Sequence, residues 1–181
     1  MLRALATASA ALLGVACECS YQWVDDGTTS DLRWFVDGIE QEVFEPSFAA
    51  TITQLESQTP GGVVTRHLNL YAGARSVGSS TEGLSFMIDD IPVVEGEIVV
   101  DARTPGGIGS WGVSSSASPM VGSVLVTDLN GVECKTDTES YDDNGTTCAG
   151  NLSGELDLTS TDARYRVFGT FNQKSHIDGC H

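Results

Sequence analysis

A two-residue alternation of apolar and polar side chains constrains this chain more than any other feature. Leu32, Trp34 and Val36 alternate with Arg33, Phe35 and Asp37; after Asp37-Gly38, Ile39, Gln41 and Val43 alternate with Glu40 and Glu42. Successive side chains of a strand point to opposite faces, so this pattern buries one face and wets the other. Asp-Gly supplies the positive φ angles of a tight hairpin turn. The segments SFAATITQL, VVTRHLNLYAG, GLSFMIDDI, GEIVVDA and VGSVLVTDL read the same way. Leu152, Gly154, Leu156 and Leu158, then Tyr165, Val167, Gly169 and Phe171, give the clearest pair, joined by a tight connection at Ser160 to Ala163. Pro46, Pro60-Gly61-Gly62, Pro92 and a Gly/Ser-rich insertion at 104–119 punctuate the pattern. No stretch shows helical periodicity. The spacing predicts an all-β fold, an antiparallel β-sandwich of about nine short strands.

The N-terminus reads differently. Residues 4–16 are small or apolar behind Arg3. They are too few to span a bilayer, which needs about 20 residues, but they suit a secretory signal with Ala16 at its cleavage site. The expected organisation is a signal peptide at 1–16, a polar tether at 17–31 and a β-sandwich domain at 32–181. Export permits disulfides, and an odd count of five cysteines leaves one thiol for another purpose.

That thiol is expected to be Cys17. Gly14-Val15-Ala16-Cys17 resembles the lipobox of bacterial lipoproteins, although that family prefers leucine where Gly14 stands. The resemblance implies acylation of Cys17 and a place in the bacterial outer membrane or cell envelope, with the lipid anchor as the membrane contact. Ordinary cleavage after Ala16, giving a secreted protein, is the alternative. Val36-Asp37-Gly38, GSVLVTDLNG at 122–131 and LSGELDL with YRVFGTFN within 152–172 also resemble a family of small β-sandwich lipoproteins of bacterial envelopes. Ile39 stands where that family has lysine, and its late SGTF is split between Ser153-Gly154 and Gly169-Thr170-Phe171. This second resemblance implies a sandwich without recognised catalytic residues.

With 25 acidic and 9 basic residues, a formal charge of −16, the chain offers no electrostatic footprint for nucleic acid. Gly107 to Gly112 matches G-x-G-x-x-G, yet VSSSASP follows where a helix would have to begin, so it reads as a loop. Ala74 to Gly78 imitates a nucleophile elbow around Ser76, again with no helix after it. His67 alternates with Leu68 and Leu70 and is expected to point outward from a strand. His176, Cys180 and His181 lack the second ligand pair that zinc commonly uses.

The acidic loop is the main metal candidate. Asp137, Glu139, Asp142 and Asp143 offer carboxylates for Ca2+, although Ser140 and Asn151 fill the end positions of any EF-hand register built on Gly145. Trp111, in the Gly/Ser insertion, is a candidate ligand contact. The other four cysteines allow three pairings. Cys134–Cys148 closes the polar loop between adjacent strands, and Cys19–Cys180 joins the chain ends, which often lie close together in compact domains. The expected function is an envelope-anchored structural or binding module with a protein or glycan partner and no catalytic site. A secreted carbohydrate- or calcium-binding module, using the loops of Trp111 and Asp142, is the alternative; a hydrolase is the third reading.

Overall fold

The computed structural model describes residues 22–55, 65–77, 82–112, 115–136 and 146–178. Eleven strands run in order: β1 (Gln22–Val36), β2 (Ile39–Gln41), β3 (Val43–Leu55), β4 (Thr65–Ser76), β5 (Gly83–Pro92), β6 (Gly96–Val100), β7 (Gly106–Trp111), β8 (Ser116–Ser118), β9 (Met120–Thr136), β10 (Thr146–Ser160) and β11 (Tyr165–Asp178). They form two antiparallel sheets, a larger one ordered β2-β1-β11-β10-β9-β6 and a smaller one ordered β3-β4-β5-β7-β8. Among the described residues there is no helix. The sandwich is as expected from the alternation; the count of nine short strands is corrected to eleven, several of them long.

Two segments account for the difference. From Gln22 to Asp31 the chain expected to be tether is strand, paired residue by residue with β11 from Asp178 to Thr170. A bulge between Asp25 and Gly27 breaks the alternation there, and backbone hydrogen bonds rather than apolar burial carry the pairing. The Gly/Ser insertion expected as a loop contributes β7 and β8, because β5 has an open edge and residues this small can pair against it.

Local chemistry explains the turns. Asp37 and Gly38 have φ of 51° and 78°, the paired positive values of a two-residue hairpin. At the β10–β11 turn, Asp162 Oδ1 accepts from Ser160 Oγ at 2.5 Å and from the Arg164 N–H at 3.1 Å, while Oδ2 accepts from Ser118 Oγ at 3.2 Å. These donors hold the Asp162 carboxyl below its ordinary range, the Ser160 hydroxyl being the largest cause. A carboxyl depressed in the folded state stabilises it above the unfolded pKa, near 4, and the stabilisation is lost as pH falls through the lower folded value. Asp162→Asn is therefore expected to lower the melting temperature at pH 7 and to shrink the gap to wild type below pH 3. A gap that is constant from pH 7 to pH 2 in thermal melts contradicts this.

The core lies between the sheets. Trp34, Phe86, Leu68, Leu70, Ile88, Ile108, Leu158 and Val124 are fully buried there. Phe48 of the smaller sheet stacks on Phe171 of the larger at 4.9 Å between centroids, and Trp34 tilts against Phe86 at 6.1 Å. Besides Ser160 at the turn, the polar side chains of Gln173 and Ser175 are buried. Gln173 Nε2 donates to the Ala50 carbonyl and its Oε1 accepts from the Ala50 N–H, both at 2.6 Å. Ser175 Oγ donates to the Gly150 carbonyl at 2.9 Å and accepts from its N–H at 3.1 Å. Gly150 is the unpaired residue of the bulge between Ala149 and Asn151.

Candidate functional site

The outer face of the smaller sheet is the strongest candidate, and its register explains its shape. One row crosses all its strands as Ser47, Gly73, Ser85, Gly109 and Ala117. No side chain in that row exceeds serine, so it forms a shallow trough perpendicular to the strands. On one side runs the row Ala49, Tyr71, Met87, Gly107; on the other runs Phe44, Arg75, Gly83, Trp111.

Two aromatic side chains rest directly on glycines of this face. A Cβ on Gly83 would lie 2.6 Å from Cε2 and Cζ2 of Trp111, so the indole occupies the space over that backbone. A Cβ on Gly73 would lie 2.8 Å from the Tyr71 hydroxyl oxygen, so that ring leans along its own strand over the trough. Glycine is required at both positions for the rings to approach the sheet this closely. Tyr71 is 44% and Met87 47% exposed, and Trp111 is half-buried. Behind Trp111, at the mouth between the two sheets, is a cavity of about 150 Å3 that Val36 and Gln41 of the larger sheet and Leu84 and Ser110 of the smaller help to line. Ser110 there approaches Ser116 at 3.2 Å, whose hydroxyl lies 2.9 Å from that of buried Tyr165. The one charged residue in these rows, Arg75, pairs with Glu45 at 3.0 Å.

The opposite face of the molecule contrasts with this. On the larger sheet Arg33 grips Glu40 through two bonds of 2.7 and 2.5 Å, and Arg166 grips Asp157 at 2.9 and 2.7 Å. Arg33 holds the Glu40 carboxyl below its ordinary range. Phe35 and Phe168 stack at 5.4 Å, with Arg33 over both rings and Arg166 4.9 Å from the Phe168 centroid. These rings are already covered by guanidinium groups and the cations are already paired. Tyr71 and Trp111 have no such covering partner among the contacts of the described residues.

The expected site residues distribute as follows. Trp111 belongs to β7, not to a loop, and lies at the rim of the trough. Cys134 and Cys148 are directly opposed in register and bonded, S–S 2.10 Å. Cys17, Cys19, Cys180, Asp137, Glu139, Asp142 and Asp143 lie outside the described residues. Among the described residues no three or more His, Cys, Asp or Glu side chains come together to hold a metal. His176 lies with Nδ1 2.6 Å from Asp26 Oδ2 across the β1–β11 pair. Tyr71 and Met87 were not singled out from sequence. Their signal was present, since each is a large side chain at a position the alternation turns outward.

One constellation approaches catalytic form without reaching it. His67 points outward, with Nε2 3.1 Å from Thr65 Oγ1 and Nδ1 2.5 Å from Asp90 Oδ1. The second approach is off the hydrogen-bonding direction, so Nδ1 makes no hydrogen bond, and Asp90 is 59% exposed. A general base needs an aligned bond to its orienting carboxylate, and water screens an ion pair this exposed.

No family model, curated protein or solved structure matches the chain.

Proposed function

We propose that this chain is an exported binding module, held to the bacterial envelope through lipid on Cys17 and presenting the outer face of its smaller sheet to a ligand. The observation that carries the reading is the uncovered pair Tyr71 and Trp111 beside a trough of small residues. A sheet face in water normally alternates to polar side chains, and large apolar side chains exposed together on one face, here Tyr71 and Met87 beside half-buried Trp111, mark contact surfaces. The signal-like residues 1–16 and the Gly14-Val15-Ala16-Cys17 junction supply the route to the envelope. Two or three acyl chains anchor a protein stably where one holds it only marginally.

Two measurements test the halves of the proposal. Mass spectrometry of the mature protein is expected to show acylated Cys17 as the first residue; an unmodified N-terminus there removes the anchor. Sedimentation of the purified domain with isolated bacterial envelopes is expected to retain wild type and Arg33→Ala and to lose Met87→Lys. Equal sedimentation of all three removes the binding surface.

A further inference from the structure

We infer that the ligand of this face is a neutral glycan strand, laid across the trough with sugar rings stacked on Trp111 and Tyr71; the inference rests on the binding-module reading and names its ligand class. The first argument is charge. In a chain of formal charge −16 this face carries one charged side chain across its three central rows, Arg75, and it is paired with Glu45. An ionic polymer would find no free counter-charge here. A neutral one meets a surface with no unpaired charge to desolvate.

The second argument is the chemistry of the two rings. An aromatic face is electron-rich, and the C–H groups on one side of a pyranose present a flat, weakly positive surface that matches it. Gly83 and Gly73 let the two rings come down close to the sheet. Ser85 in the trough row can donate to and accept from sugar hydroxyls, while Ser47, whose proton goes to the Gly73 carbonyl at 3.1 Å, can accept.

The third argument is extent. The two rings rest over Gly83 and Gly73, which lie on neighbouring strands and two residues apart in register, about 8 Å at the usual strand spacing and rise. That separation exceeds one sugar ring and suits consecutive units of an oligosaccharide.

The test uses the whole exported chain and named probes: hexamers of β-1,4-linked glucose, β-1,4-linked N-acetylglucosamine and α-1,4-linked glucose, with hexagalacturonate as the acidic control. Binding is followed by tryptophan fluorescence, calorimetry and amide chemical shifts. At least one neutral hexamer is expected to bind and to shift the amides of Tyr71, Gly73, Gly83 and Trp111. Trp111→Ala and Tyr71→Ala are each expected to weaken it at least tenfold, and Arg33→Ala to leave it unchanged. Should Trp111→Ala fail to fold, Tyr71→Ala and the wild-type shift map carry the same decision. Three results overturn the inference: no neutral hexamer binding at millimolar concentration, tighter binding of hexagalacturonate, or affinity that survives both aromatic substitutions. Envelope sedimentation that persists beside a blank hexamer panel refutes the glycan and leaves the binding module; loss of both refutes both.

Discussion

Replacing Gln173 by leucine is expected to destabilise the protein by about 2–5 kcal/mol, because it strands two buried backbone groups at once. The Ala50 N–H and C=O both end on the Gln173 amide at 2.6 Å, and Ala50 and Gln173 are each 3% exposed. A buried group left without its partner costs about 1–3 kcal/mol. Ala50 lies in β3, at the edge of the smaller sheet, where β4 is its one ladder partner among the described residues. The amide thus stands in for one residue of a missing neighbouring strand, donating and accepting as a backbone would. In a chain of this size the loss corresponds to a fall in melting temperature of roughly 4–20 °C. Because the substitution also bares the edge of a 13-residue strand, faster aggregation on heating is expected beside the lower midpoint. Urea unfolding of Gln173→Leu against wild type decides it; a loss under about 1 kcal/mol would mean that the Ala50 groups find other partners.

Gln173 also shows what was legible in the sequence and what was not. Along β11 the inward positions run Tyr165, Val167, Gly169, Phe171, Gln173 and Ser175, so the alternation continues in register after the apolar residues stop. The period is visible from sequence, which is why the sandwich was. The partners are not visible. A glutamine at an inward position has a place only because β3 brings Ala50 opposite it, 123 residues away. The same limit hid β7 and β8. Gly106 to Trp111 and Ser116 to Ser118 carry almost no apolar alternation; the first pairs on the open edge of β5 and the second on the edge that β7 then presents. Residues 22–31 looked like tether for a related reason, since their ladder to β11 extends past the apolar core and carries no apolar alternation.

The candidate site was half legible. Trp111 stood out in a segment of glycine and serine, but the meaning of those small residues came only with register. Gly73, Gly83 and Gly109 come from three different strands, and nothing local links them. Once Ser47, Gly73, Ser85, Gly109 and Ala117 align in one row, they become the trough beside Tyr71 and Trp111.

The disulfide is where spacing and register agree, and its removal is the second large effect expected. Cys134 and Cys148 face each other in the β9–β10 ladder, beyond the bulge at Gly150, with Cys148 only 5% exposed and packed into the core. Between the bulge and the end of the hairpin the described ladder has just four pairs, from Ala149–Glu133 to Thr146–Thr136. On the chain-entropy account, closing a loop of about 15 residues restricts the unfolded state enough to contribute about 3 kcal/mol. Cys134→Ser with Cys148→Ser is therefore expected to lower the melting temperature by roughly 6–12 °C. Two changes should be separable. The entropic part lowers global stability, while loss of the bond beside the bulge lets the hairpin end open locally at lower free energy than the core. Amide exchange at residues 132–135 and 146–149 is expected to quicken more than at 152–158, where β10 lies between β9 and β11. Wild type kept in reductant should match the double variant in both readouts. Equal melting temperatures with and without reductant would show that the bond contributes nothing, and equal exchange in both segments would show that Ser175, clamped on Gly150, holds the hairpin end without it.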